Sequence, residues 1–117
     1  MKAIKPSAYI RFLNCLDALD RMNPGKKLDS TEEQLLNQVV LAATHGREPL
    51  VGDLISINEL GSQATLHGRI KNLVVMGYIT LNEDKSDGRK KFIKPTAKAL
   101  KRYESLSTCI EKALRSS

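Results

Sequence analysis

The sequence predicts a mainly α-helical fold with one small antiparallel β-hairpin, and three observations predict it. Apolar residues recur at helical spacing in four long segments. A strand, polar loop, strand pattern occurs once, between Tyr78 and Lys94. Glycine or proline punctuates the joins at Pro24-Gly25, Gly46, Gly61, Gly77 and Pro95. At 117 residues and 41% hydrophobic content, the chain is long enough for one compact core, so residues 1–117 read as a single domain. Within it, residues 5–22 form an N-terminal helix, 30–95 a central helical and hairpin unit, and 96–115 a C-terminal helix.

The first segment, Pro6 to Met22, carries Tyr9, Phe12, Leu13, Leu16 and Leu19 on one stripe. Pro6 or Ser7 suits its first turn, and Asn23-Pro24-Gly25 stops it before the basic connector Lys26-Lys27. The next helix is expected to start at Ser30, with Ser30 and Glu33 forming a capping box. Leu35, Leu36, Val39, Val40 and Ala43 make its stripe, and Gly46 ends it. Leu50 to Ile57 reads as a two-turn helix with Leu54 and Ile57 inward, followed by the turn Asn58 to Gly61. Ser62 caps a further helix that carries Leu66, Ile70 and Leu73 and stops at Gly77. Tyr78 to Asn82 is a strand, Glu83 to Gly88 a hairpin loop, and Arg89 to Lys94 the returning strand. Pro95 closes it, and Thr96 caps a last helix with Leu100, Tyr103, Leu106, Ile110 and Leu114 on one stripe.

That order is a helix-turn-helix followed by a two-stranded wing, flanked by N- and C-terminal helices. Its geometry suits a nucleic-acid duplex. The major groove of B-DNA is about 12 Å wide and admits one α-helix, while a hairpin reaches the neighbouring minor groove. A formal charge of +6, from 19 Lys and Arg against 13 Asp and Glu, favours polyanionic partners.

If Leu66, Ile70 and Leu73 point inward, the opposite face of the Ser62 to Met76 helix centres on Ala64, Gly68 and Lys71, flanked by Thr65, His67 and Asn72. The face has no carboxylate. Ala64 and Gly68 let the backbone approach a groove closely. Ser62, Gln63, Thr65, His67 and Asn72 supply hydrogen-bonding groups, and Arg69 and Lys71 supply charge for phosphates. Gly68 in mid-helix costs about 1 kcal/mol relative to Ala, and close approach is a reason for it. In the wing, Glu83 to Lys91, the residues Lys85, Arg89, Lys90 and Lys91 gather beside Lys94. Arg89 is the first choice for minor-groove insertion, since a narrow groove concentrates negative potential. Asp87, two residues earlier, is placed to orient it by a charge-assisted bond. Against these stand two plainer readings, a solvated helix face and a charged edge hairpin that discourages aggregation.

The residues Leu60-Gly61-Ser62-Gln63-Ala64-Thr65-Leu66-His67, then Leu73, Gly77-Tyr78-Ile79, Asp87-Gly88-Arg89 and Pro95-Thr96 resemble the MarR family of bacterial winged-helix regulators. The resemblance covers about Ser30 to Leu106. It implies that the helix matching Ser62 to Met76 enters the major groove, that Arg89 enters the minor groove, and that the terminal helices build a homodimer. Two positions depart from the family pattern. Gly88 stands where the wing usually has the first of two arginines after its aspartate, and Pro95 stands where a leucine usually precedes the threonine. The family often binds small aromatic effectors, but no residues here pick out such a pocket.

Cys15 and Cys109 have no spacing of a zinc site or disulfide framework, and a reducing cytoplasm suits them. They read as small buried hydrophobes, with oxidant sensing, as in some MarR-like regulators, the other possibility. His45 and His67 have no ligand spacing, so neither a metal nor another cofactor is expected. No set of catalytic residues is found, so the chain is not expected to be an enzyme. No segment approaches the roughly 20 apolar residues of a membrane span, and a cytoplasmic protein is expected. The function expected is sequence-specific binding of double-stranded DNA in transcription regulation. The alternatives are a winged-helix protein interaction module and a non-specific nucleic-acid binder.

Overall fold

Helical periodicity and glycine punctuation are realised in a computed structural model that describes residues 3–22, 25 and 27–115. The expected stop at Asn23-Pro24 and the Lys26 part of the connector lie outside the described residues. The elements run α1 (Ala8–Met22), α2 (Ser30–Thr44), α3 (Val51–Ile55), a 3-10 turn (Asn58–Leu60), α4 (Gln63–Val75), β1 (Ile79–Glu83), β2 (Lys91–Pro95) and α5 (Ala97–Leu114). This is a mainly helical winged helix-turn-helix with terminal helices, as the sequence predicts. The chain divides into two compact units, Lys27–Leu100 and a second made of Met1–Lys26 with Lys101–Ser117.

In the Lys27–Leu100 unit, α2, α3, α4 and the hairpin pack around Leu35, Leu36, Val39, Leu54, Leu66, Ile70, Leu73, Ile79 and Ile93, all buried. Ala43, expected on the inner stripe of α2, is exposed, because one more turn carries it past the end of the core. Both long helices end as their glycines predict. After α4, Tyr78 N–H donates to the Leu73 carbonyl at 3.0 Å and Gly77 N–H to the Val74 carbonyl at 3.0 Å. This is a Schellman motif, and it requires the left-handed Gly77, φ 82°. The end of α2 repeats the pattern through Gly46, φ 70°.

The start of α2 differs from expectation by one residue. Asp29, not Ser30, is the cap, and Glu32, not Glu33, completes the capping box. A carboxylate makes the stronger, charge-assisted bond to the free amides, and this start turns Glu32 inward. Ser30 instead accepts from Gln34 Nε2 at 3.4 Å.

β1 and β2 pair antiparallel with Ile79 opposite Pro95, Leu81 opposite Ile93 and Glu83 opposite Lys91. β1 therefore lies one residue later than expected, and β2 starts two residues later and ends one later, so that Arg89 and Lys90 belong to the turn. The cause is local: Asp84 N–H donates to the Lys90 carbonyl at 2.9 Å, and Lys90 N–H to the Asp87 carbonyl at 3.0 Å, which closes the loop before Lys91. A further pairing has no sequence signal. Leu50 bridges Phe92, and Ile93 N–H donates to the Pro49 carbonyl at 2.8 Å. Two residues are too few to show alternation. α3 is accordingly a five-residue helix that starts at Val51.

In the other unit, Ser7 begins α1, its carbonyl accepting from Arg11 N–H at 3.0 Å. Arg11 Nε donates to the Ala113 carbonyl at 2.9 Å, near the C-terminal end of α5, where a cation also meets the negative end of the helix dipole. The expectation of two unpaired thiols is corrected here: Cys15 and Cys109 form a disulfide, with Cα atoms 5.6 Å apart. Spacing could not reveal it, because 94 residues separate the two and only the antiparallel return of α5 brings them together. Cys109 and Ala113 are the buried residues of α5 in this unit, and α1 has none. Tyr9, 68% exposed, Leu13, Ile110 and Leu114, 70% exposed, leave an apolar surface in water.

A disulfide closing so long a loop restricts the unfolded chain strongly. Reduction, or Cys15→Ser, is expected to lower unfolding stability by about 2–4 kcal/mol. Denaturant titration with and without reductant, with alkylation to count free thiols, measures this.

Candidate nucleic-acid interface

α4 supplies one half of the site. Burying Leu66, Ile70 and Leu73 turns Gln63, Ala64, Thr65, His67, Gly68 and Lys71 to solvent, and all six are exposed. No Asp or Glu occurs in the helix. Ser62 caps it as predicted: its Oγ accepts from Thr65 N–H at 3.2 Å and donates to Thr65 Oγ1 at 3.0 Å. The turn before it passes through Gly61, φ 153°, where a Cβ would lie 3.5 Å from Leu66 Cδ2. At Gly68 an added Cβ would meet nothing within 4 Å, so no contact inside the protein requires the glycine.

Two of the expected contact residues are turned elsewhere. Arg69 Nε lies 2.9 Å from Asp29 Oδ2, an ion pair without hydrogen-bond alignment, and Asn72 Nδ2 donates to Glu32 Oε2 at 3.1 Å. Both side chains therefore face the start of α2. At the far end of α4, Val75 is 85% exposed on the same side as Ala64 and Gly68. The sequence reading passed over it, although its position four residues after Lys71 places it on that face.

The base of the wing is tied to the end of α4. Lys98 Nζ donates to the Met76 carbonyl at 2.6 Å and sits 4.7 Å from the centre of the Tyr78 ring. Thr96 Oγ1 donates to the Gly77 carbonyl at 2.6 Å and accepts from Ala99 N–H, so the predicted cap of α5 also anchors the wing.

At the wing tip, Arg89 is 93% exposed. Asp87 Oδ1 accepts from both its backbone N–H at 3.1 Å and its Nε at 3.2 Å, the orienting bond that the spacing suggested. Exposure makes this pair weak in energy, yet two bonds to one oxygen define a direction for the guanidinium. Lys85, Lys90 and Lys91 are exposed around it. Asp84 organises the near side of the loop, accepting from Ser86 N–H and Oγ at 3.0 Å each. The Ser86 bonds, backbone first, hold its carboxyl below the usual aspartate range, with help from the Lys90 charge.

Among the described residues, no three His, Cys, Asp or Glu side chains come together as metal ligands, and no helix is long and apolar enough to cross a membrane.

No protein-family model and no curated protein matches the sequence. Solved structures do match the fold. A mutant of MepR from Staphylococcus aureus bound to an oligodeoxyribonucleotide has a TM-score of 0.65 at 17% identity, over 90% of this chain and 69% of that one. The heme sensor protein PefR from Streptococcus agalactiae, in complex with heme, has 0.63 at 18%, over 87% and 67%. A transcriptional regulator from Thermotoga maritima has 0.66 at 19%, over 89% and 67%. The chain thus has the winged-helix fold of MarR-like transcription regulators.

Two outcomes follow from the local geometry. Gly68→Ala is expected to stabilise the free protein by about 1 kcal/mol in denaturant titration, because the site is open and alanine favours the helix. Ser86→Ala is expected to raise the Asp84 carboxyl toward its ordinary value, as followed by NMR titration. A depressed folded-state value adds stability above the unfolded-state value and loses it as pH falls through the folded one, so the variant is expected to show less of this acid-limb dependence.

Proposed function

We propose that the chain is a sequence-specific double-stranded DNA-binding transcriptional regulator that acts by binding and not by catalysis. The observation that carries this reading is the exposed, carboxylate-free face of α4 in the same unit as a basic wing whose Arg89 is aimed by Asp87. Ser62, Gln63, Ala64, Thr65, His67, Gly68 and Lys71 form the major-groove set. Lys85, Asp87, Arg89, Lys90 and Lys91 form the minor-groove and phosphate set. Arg69 and Asn72, committed to α2, act behind the interface. The DNA-bound MepR mutant, similar in fold, supports the same partner.

A second copy of the chain is the other partner proposed. Tyr9 and Leu13 on α1 and Ile110 and Leu114 on α5 are exposed, and apolar surface of that kind generally meets a partner. A two-fold dimer presents two reading helices to two half-sites. The winged-helix section 30–95 then reads DNA, and the flanking helices 5–22 and 96–115 assemble the dimer. Cytoplasmic placement rests on the DNA partner, since a disulfide is uncommon in a reducing compartment.

Selection of bound fragments from a random duplex pool at a fixed salt concentration tests the reading. Arg89→Ala and His67→Ala are each expected to weaken the selected site by about 1–3 kcal/mol. Lys71→Ala is expected to reduce the salt slope of log K by about 0.9, one phosphate's worth. Gly68→Ala, stabilising in the free protein, is expected to weaken DNA binding by obstructing backbone approach. Unchanged binding on loss of Arg89 would overturn the model. Equal affinity for scrambled duplexes would indicate a non-specific binder. A stable protein partner on the Ser62 helix, with no DNA retained, would indicate an interaction module.

A further inference from the structure

Among the described residues, Glu32 is the buried charged side chain, 2% exposed. Capping does not require that burial, since an exposed Glu at this position makes the same reciprocal bond. Its two oxygens do different things. Oε1 accepts from Asp29 N–H at 2.9 Å and closes the capping box, while Oε2 accepts from Asn72 Nδ2, on α4, at 3.1 Å. Asp29 is divided in the same way. Its Oδ1 accepts from Glu32 N–H at 2.7 Å, and its Oδ2 lies 2.9 Å from Arg69 Nε. Both carboxylates of one helix cap therefore hold Arg69 and Asn72, which lie three residues apart on one flank of α4.

We propose that Glu32, itself held by Asp29 through the capping box, is a positioning residue that fixes the roll of α4 about its own axis, and so determines which side chains the helix offers to a base edge. This rests on the DNA-binding reading above. The Leu66, Ile70 and Leu73 stripe holds α4 against the core, but apolar contacts are non-directional and tolerate small rotations. Hydrogen bonds are directional and confined to N···O distances of about 2.7–3.2 Å. A roll of about 20° moves a side-chain tip, about 5–6 Å from the helix axis, by about 2 Å. That breaks the Glu32–Asn72 bond, and it would equally misplace Gln63, Thr65 and His67 on a base edge. A buried carboxylate is a costly way to join two helices, and an apolar pair of similar volume is often as stable or more so. The polar pair supplies direction, which an apolar one does not.

The test is the double variant Glu32→Met with Asn72→Leu, which replaces the polar bridge by apolar packing, gives up the Glu32 half of the capping box, and leaves the exposed α4 face and the wing unchanged. Asn72→Leu alone, which keeps the capping box, is expected to show the same change in α4 orientation. In the free protein, residual dipolar couplings of the α4 amides, referenced to α2, are expected to report an altered or averaged orientation. Couplings identical to those of the unaltered chain would overturn the proposal whether or not DNA binds. On DNA, the ratio of affinities for the selected and scrambled duplexes is expected to fall at least about tenfold, the scale of one well-aligned base contact. Scrambled-duplex affinity and its salt slope are expected to stay unchanged. A folded double variant of undiminished selectivity also overturns the proposal. Glu32→Gln is expected to keep selectivity, because its amide can donate to Asn72 Oδ1 once the Asn72 amide turns over. Loss of selectivity in this variant as well would assign the role to the Glu32 charge and overturn the hydrogen-bonded clamp. Should the unaltered chain select no duplex, the DNA-binding reading fails, while the dipolar couplings still decide the clamp.

Discussion

Leu66, Ile70 and Leu73 cannot enter the core without turning the other side of α4 outward, and this single burial organises the site. Each of these side chains gains about 1.5–3 kcal/mol on leaving water. Apart from Val74 and Val75 near its end, the residues left outside are small, polar or basic, with no carboxylate among them. A helix with the same core stripe and acidic residues on its outer face would fold equally well and repel a phosphate backbone. The core sets the direction of the face, and the residues on that face set its chemistry.

The rest of the Lys27–Leu100 unit holds α4 at its start, flank and end. Ser62 satisfies the Thr65 amide, and the Schellman turn at Gly77 satisfies the Leu73 and Val74 carbonyls. Lys98 and Thr96 then connect that end to α5. Along one flank, the cap of α2 supplies two carboxylates to Arg69 and Asn72. Residues that look like ligand contacts by composition are thereby internal fasteners. The wing differs in kind: its Asp84 and Asp87 bonds are exposed, so they direct side chains and add little stability.

The unit containing α1 has the opposite balance. Its α1 buries no side chain, and its two helical segments are joined by the Cys15–Cys109 disulfide and the Arg11 bond to the Ala113 carbonyl. Small assemblies without a sufficient core commonly rely on such staples. The apolar residues that remain exposed there are consistent with a surface completed by a second chain.

Periodicity and glycine placement determined the long helices, the glycine ends of α2 and α4 and the presence of the hairpin, because these depend on neighbours within about four residues along the chain. The open face of α4, the Ser62 and Thr96 caps, and the Asp87 bond to Arg89 were legible for the same reason. Apart from the strand bounds at the wing and the exposed Val75, which are local, the features that escaped the sequence join residues distant along the chain. Leu50 meets Phe92, Asn72 meets Glu32, Arg69 meets Asp29, and Cys15 meets Cys109. The shift of the α2 cap from Ser30 to Asp29 belongs with these, since the burial of Glu32 beside α4 distinguishes two otherwise similar starts. Local sequence specifies which bonds a residue is able to make, whereas the packed fold decides which partner stands within reach.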